Sequence, residues 1–348
     1  MSLAALRDAI RDAAARRAPL RIRGGGTKDF YGNAPRGDVL DTRAHSGIVD
    51  YEPSELVITA RCGTPLREVE QALEARGQCL PFEPPHFGAA ATFGGCIAAG
   101  LSGPRRASAG AVRDFVLGVK VVNGRGELLA FGGQVMKNVA GYDVSRLMAG
   151  SLGTLSLIAE ASIKVLPRAP AETTLRLELP REAALQAFRR WASQPLPVSA
   201  TCWNDGVAHV RLSGSAPAID SARRRIGGTP VAAGPWQDIR EHTHPFFSGD
   251  EPLWRLAVAP TAPPLDLPGR ELIEWSGGLR WLKTTEAPAA VRDAARRASG
   301  NATLFRAAQK PVPAFSPLGA TGLRLHRELK AAFDPAGIFN PGRLDPEL

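Results

Sequence analysis

Consecutive glycines at the end of an alternating stretch are the first residues here that could do chemistry. Leu20-Arg21-Ile22-Arg23 runs straight into Gly24-Gly25-Gly26-Thr27-Lys28. A loop without side chains can turn several backbone N–H groups into one concavity, and an anion can approach them closely. The Thr27 hydroxyl and the charges of Arg23 and Lys28 would suit a phosphate; a plain strand-to-loop turn accounts for the same triplet. The dinucleotide fingerprint G-x-G-x-x-G is absent, because Asp29 stands where its third glycine belongs, and so is a Walker loop. A second poor-in-side-chain stretch, 89–103, carries two hydroxyls, Thr92 and Ser102, and suits a long extended ligand. A third, Gly150-Ser151-Leu152-Gly153-Thr154, feeds a strand whose backbone could face a flat ring.

Other reactive side chains are sparse. Cys62, Cys79, Cys96 and Cys202 lie far apart and none sits in a C-x-x-C pair, so disulfide, zinc and iron–sulfur spacings are missing and no metal is expected. His242 and His244 could ligate a metal from one strand face or form an ordinary loop pair before Pro245. Trp254, Trp275 and Trp281 serve either as core or as substrate wall. Arg255 and Arg280 stand in apolar strands, where a guanidinium needs a carboxylate, either that of a small hydroxy acid or an internal Asp or Glu. His209 is a candidate base by elimination alone, and His326 and Lys330 read as a solvated face of a helix.

These groups need elements to position them. Residues 1–17 form an amphipathic helix opened by Ser2, and 55–61 is a β-branched strand. Thr64 caps a helix with Pro65 at its first position, Leu66, Val69 and Leu73 on one face and Gly77 as its stop. The glycines and prolines of 84–110 argue against a packed helix there. Runs at 117–122 and 127–131 pair through Asn123-Gly124-Arg125-Gly126, a hairpin turn in which Gly124 is a tolerant surface position. A strand over 155–166 precedes a boundary at Pro167 and Pro170. Beyond it, strands at 172–179, 198–203, 207–212, 253–258, 271–275, 279–284 and 302–306 alternate with helices at 182–192, 217–226 and 288–299. That order implies one antiparallel sheet backed by helices on one face. A helix over 323–333 and the coda Phe339-Asn340-Pro341-Gly342-Arg343 follow.

At 348 residues the chain exceeds the size of one growing core, and 44% hydrophobic against 22% charged residues excludes disorder. The net charge of +9 is spread over both halves and aromatics are only 6%, which argues against a nucleic-acid-binding stripe. No apolar run is long enough for a transmembrane segment or signal peptide, so a reducing cytoplasm is expected.

Taken in order, Arg23 to Lys28, Ala91-Thr92-Phe93-Gly94-Gly95-Cys96, Arg113-Asp114-Phe115-Val116-Leu117, Lys137-Asn138-Val139-Ala140-Gly141-Tyr142-Asp143, Gly150 to Leu155 and Phe339 to Arg343 resemble the FAD-binding domain of the vanillyl-alcohol oxidase and p-cresol methylhydroxylase superfamily. Within it the whole chain resembles a flavin subunit of bacterial glycolate oxidase. The resemblance implies an α+β fold: a two-subdomain FAD-binding domain over 1–168, an α+β cap with an antiparallel sheet over 169–306, and a C-terminal segment, 307–348, returning to the first domain. It implies FAD held by Arg23, Gly24, Gly25, Gly26, Thr27 and Lys28, by Pro85, Thr92, Phe93, Gly94, Gly95, Ser102 and Gly103, along a ring-side strand from Gly153 to Ile158, and by Asn340. His45 and His86 are the nearest covalent attachment points and lack the expected context, so the flavin is expected to be non-covalent. The Gly-Asp-Gly-Asn-x-His stretch of metal-dependent relatives is missing, and no base is evident. The implied partners are a second FAD subunit, an iron–sulfur subunit and a small 2-hydroxy acid, with peripheral placement at the inner membrane through those subunits. On its own the chain is expected to oxidise glycolate slowly or not at all. The alternatives are a non-catalytic FAD-binding scaffold docking onto a catalytic homologue and, more distantly, a nucleotide-sugar reductase.

Overall fold

The computed structural model describes residues 1–133 and 143–348; Lys137 to Tyr142 of the fourth motif lie outside the described residues. A five-stranded antiparallel sheet runs in the order Ile48–Glu52, Val57–Arg61, Leu157–Lys164, Val116–Val122, Leu128–Gly132. Its inner strands are rich in β-branched residues that suit a pleated, buried surface, and Ile58, Val119 and Ile163 pack with Leu66, Val69 and Leu73 of the helix Leu66–Glu74. A parallel pair, Leu20–Arg23 with Asp38–Asp41, lies beside it. The chain's last segment joins that pair: Leu20 N–H donates to Ile338 O (2.7 Å), and Asn340 N–H donates to Leu20 O (2.8 Å). Helix Leu3–Arg16, whose N-cap Ser2 accepts from Ala5 N–H, covers this junction with Leu6, Ile10 and Ala13.

Three local expectations are corrected. Residues Phe93–Ala99 do form a helix, buried on most sides, capped by Thr92 and closed by Gly100 in the left-handed conformation. Its small residues let it approach the neighbouring strand end: a Cβ on Gly94 would stand 2.5 Å from Cys62 Cβ. Close packing there outweighs the poor helix propensity of glycine. The Thr64 hydroxyl does not cap the next helix; it donates to Arg61 O (2.7 Å) and accepts from Gly47 N–H (2.9 Å), and Pro65 takes the N-cap position. Gly124 is no surface turn. Its N–H donates to Phe333 O (2.8 Å), and a Cβ would stand 2.6 Å from Asp334 Oδ1.

From Ala171 the chain builds an eight-stranded antiparallel sheet in the order Thr229–Val231, Ala171–Glu178, Val207–Gly214, Val198–Asn204, Arg270–Glu274, Leu279–Lys283, Leu253–Ala257, Asn301–Arg306. Helices Arg181–Ala192, Ala216–Ile226 and Pro288–Arg297 cover one face, burying Phe188, Val210 and Trp254. The opposite face carries Leu253, Trp281 and Phe305 against Tyr31, Ala99 and Leu101 of the first unit. A short helix, Trp236–Glu241, absent from the sequence expectations, fills a corner of that contact with Trp236 and Ile239. The α+β class and the antiparallel sheets are as expected.

Candidate functional site

The loop 23–28, the start of the helix Phe93–Ala99 and the returning C-terminal segment line a half-open cavity of about 100 Å³. Arg23, Gly24, Gly25, Gly26, Thr27, Lys28, Thr92, Gly95 and Asn340, all named from the sequence, line it together. The two loops interlock. A Cβ on Gly24 would stand 2.2 Å from Thr92 Oγ1, and one on Gly25 would stand 1.5 Å from Ala90 O, so both positions require glycine. The backbone N–H groups of Gly24, Gly25, Gly26, Thr27 and Lys28 donate to no acceptor among the described residues.

Charge in this cavity is one-sided. Arg21, Arg23, Lys28 and Arg343 line it with Asp29 as the carboxylate. Arg23 Nε lies 2.8 Å from Asp29 Oδ2, Arg21 pairs with the same carboxylate, and Arg21 Nε is buried without a partner among the described residues. Arg343, missed by the sequence reading, donates to the carbonyls of Asp29 (2.9 Å) and Lys28 (3.3 Å), and burial brings its guanidinium down to about 10. Burial likewise lowers the Lys28 ammonium, which donates to His86 O. Asn340 Oδ1 accepts from Ile22 N–H (2.9 Å) and its Nδ2 donates to Leu152 O (2.5 Å), fixing the C-terminal segment to the loop.

Other proposed positions fall elsewhere. Phe93 and Ile158 point into the core, and Gly94 packs on Cys62. Gly153 packs against Asn340 and Ile22 at a positive φ of 69°. Neither His45 nor His86 lines this cavity; His86 Nε2 lies 2.9 Å from Glu70. Lys330 is buried rather than solvated, donating to Thr154 O, Phe339 O and Asp334, while His326 Nδ1 sits 2.8 Å from Gly322 O.

Pro85, Ser102 and Gly103 line a second, small cavity, about 20 Å³, between the first unit and the eight-stranded sheet. Arg255, Glu274, His242, Trp281, Phe305 and Phe87 complete its wall. The Arg255 guanidinium stands 5.2 Å from the Trp275 ring centre and has no ion-pair partner among the described residues. Glu274 Oε1 accepts from Trp281 Nε1 (2.7 Å); Oε2 is buried with no partner among the described residues. Burial raises this carboxyl to about 7, against the opposing pull of the Trp281 hydrogen bond and of Arg255. His242 stacks on Phe247 at 3.8 Å, and burial together with Arg306 and Arg255 holds its imidazole well below the ordinary histidine range. His244 is engaged separately, Nδ1 accepting from Phe246 N–H, so the two histidines do not converge.

Arg280 is not in this cavity. Strand alternation turns it to the helix-covered face, fully buried, where it donates to Gly277 O (2.8 Å) and Ala262 O (3.3 Å) and pairs with Glu271 (3.5 Å). His209 faces the right side of the sheet but lines neither cavity; burial and Arg176 lower its imidazole. Trp254 is core, Trp281 is wall, and Trp275 Nε1 donates to Gly103 O (3.0 Å), tying the sheet to the loop. Glu274 was open to the sequence reading only through one signal, an acid ending the apolar strand Leu272-Ile273-Glu274-Trp275, whereas His242 was named there only as half of a possible metal pair.

The comparisons with known proteins agree with this geometry. Residues 1–132 match the family described as FAD binding domain, and 316–344 match the C-terminal domain of FAD linked oxidases. The glycolate oxidase subunit GlcE of Escherichia coli (strain K12) is 49% identical over 344 residues, covering 99% of this chain and 97% of that protein. The glycolate oxidase subunit GlcD of Bacillus subtilis (strain 168) is 34% identical over 161 residues, 46% of this chain and 34% of that protein. Among solved structures, an alkyldihydroxyacetonephosphate synthase shares the fold at a TM-score of 0.66 and 16% identity, over 97% of this chain and 75% of that one.

Proposed function

The chain belongs to the family of FAD-linked oxidoreductases that includes glycolate oxidase subunit GlcE, and from that premise we propose that it is the FAD-binding subunit of a complex oxidising glycolate, or a closely similar 2-hydroxy acid, to the 2-oxo acid. The observation that carries this is the first cavity, with five consecutive unpaired amides and four cations around one carboxylate, a donor set that suits a pyrophosphate. Gly95 leaves its side of that cavity open, since a Cβ there meets only Thr92 Oγ1 at 3.0 Å. The residues present therefore fit FAD: Gly24 to Lys28 would hold its phosphates, and Thr92, Gly95 and Asn340 would close around it. When bound, FAD supplies the two-electron acceptor for oxidation at the α-carbon. Arg255 would bind the substrate carboxylate, and the rings of Phe87, Trp281 and Phe305 would keep water from the second cavity.

In this proposal residues 1–168 are the flavin domain, 169–306 the cap and 307–348 a segment that completes the flavin site. FAD is held without a covalent bond, in keeping with His45 and His86 lying off the cavity. The partners are a second flavin subunit and an iron–sulfur subunit, which this chain, with four separated cysteines, would need for onward electron transfer. No helix of the described residues is long and apolar enough to cross a membrane; the proposal places the subunit in the cytoplasm, held peripherally at the membrane through its partners.

Titrating the purified chain with FAD is expected to quench flavin fluorescence, and anaerobic glycolate or D-lactate should bleach the bound flavin slowly in the chain alone and faster in the assembled complex. Binding of FMN or NAD with FAD left unquenched would overturn the cofactor assignment, and a flavin that no 2-hydroxy acid bleaches would overturn the activity.

A further inference from the structure

Glu274 occupies a place that an ordinary structural acid does not. It ends the strand Arg270–Glu274 on the face turned toward the first unit, fully enclosed, with one oxygen on Trp281 and the other unpaired. A buried carboxylate without a paired cation is costly. The nearby arginines are committed to other acids: Arg211 lies 2.8 Å from Glu83, and Arg240 lies 2.8 Å from Glu241. Arg255, uncommitted, lines the same cavity.

The backbone around this acid is strained. Trp275 and Ser276, which follow it, take left-handed φ of 54° and 55°, and His242, Phe87 and Glu83 take 58°, 53° and 47°. Non-glycine residues in that region cost energy and collect where a site is held in a set geometry. Two contacts hold the strand end: Trp275 Nε1 on Gly103 O, and Ser276 N–H on Thr201 Oγ1 at 2.8 Å.

We propose that Glu274 is the catalytic base of this chain, taking the α-hydroxyl proton of a small 2-hydroxy acid whose carboxylate is held by Arg255. The inference rests on the function proposed above and supplies the group that the sequence lacks. In the step, the substrate O–H bond breaks toward Glu274, the C–O bond becomes a carbonyl, and the α-hydrogen would leave with its electron pair to the two-electron acceptor that FAD would supply. The two electrons lost by the substrate would be accepted by the FAD that Gly24 to Lys28 would hold, and the proton rests on Glu274 until it exchanges with solvent. The charged groups facing Glu274 are Arg255 and Arg211, which favour its ionised form, and Glu83, which opposes it; His242, across the cavity, is neutral. A base that titrates near neutrality is matched to proton abstraction at cellular pH.

The test uses the FAD-loaded full chain and Glu274→Gln, which keeps an acceptor for Trp281. Oxalate, a carboxylate that cannot be oxidised this way, serves as the binding probe, followed by calorimetry in two buffers of different ionisation enthalpy at neutral pH. Wild-type protein should take up a fraction of a proton on binding oxalate, and Glu274→Gln should bind with none. In single-turnover anaerobic bleaching by glycolate, the wild-type rate should rise through neutral pH and level off. Glu274→Gln should be slower by about 10²-fold or more and flat with pH. Glu274→Asp, should the glutamine variant not fold, is expected to be slower yet keep the pH dependence. Bleaching of the variants at the wild-type rate and pH profile, or proton uptake unchanged without Glu274, would overturn the base and leave the oxidase function standing. A wild-type flavin that still binds yet is bleached by no 2-hydroxy acid would remove the oxidase function and the base together.

Discussion

A side chain at Gly95 would enter the first cavity, whereas one at Gly124 would collide with the Asp334 backbone and carboxylate. Gly95→Leu should therefore abolish FAD retention while leaving thermal unfolding nearly unchanged. Gly124→Leu should lower the melting temperature, and Gly319→Leu, where nothing lies within 4 Å, should do neither. Flavin absorbance released on denaturation and circular dichroism melting separate the three; equal flavin loss at all three would mean general destabilisation. Glu274 gives a second prediction with a definite sign. Burial pushes its carboxyl from an ordinary 4.5 up to about 7. A raised folded value contributes stability below the unfolded pKa that is lost as pH rises through the folded one. Wild-type protein should thus lose up to about 3 kcal/mol relative to Glu274→Gln across that window. Urea unfolding at both ends of the window checks it, and parallel stabilities of the two proteins would contradict it.

The two strands Leu253–Ala257 and Leu279–Lys283 separate function from support by alternation alone. Arg255 and Trp281 face the second cavity, while Trp254 and Arg280 face the helices. Arg280→Ala leaves the largely buried Glu271 with Arg181 alone (3.6 Å) and two backbone carbonyls without their donor, and should cost about 1–3 kcal/mol, with oxalate affinity intact in whatever remains folded. Arg255→Ala should do the reverse, losing at least about tenfold in oxalate affinity at an unchanged melting temperature. Calorimetric binding and melting curves on both variants decide; loss of stability at Arg255 would make it a structural arginine. The strands holding these residues are legible in the sequence because each is a short run of Leu and Trp around one arginine, bounded by proline or glycine. Helices Phe93–Ala99 and Trp236–Glu241 are not, because they are short and stabilised by what they pack against rather than by their own composition.

Across the whole molecule the two cavities differ in how far apart their residues lie. The anion-binding loop is contiguous, so Arg23 to Lys28 announce themselves; the second cavity draws on residues from Pro85 to Phe305, and no local pattern links them before the sheet docks. Arg343 and Asn340 are intermediate, local to one segment yet seated some 300 residues away from the loop they hold. A chain ended after Gly337 should therefore keep its eight-stranded sheet by circular dichroism while losing FAD, measured as protein-bound flavin after gel filtration; retention of flavin would show that the returning segment is dispensable. The pairing of Leu20 with Ile338 and Asn340 also orders events during synthesis. The glycine loop leaves the ribosome some 318 residues before the Asn340 that closes its wall. Cofactor capture then waits for the segment around Asn340 to emerge, and a flavin-loaded molecule certifies that the chain has been made at least that far.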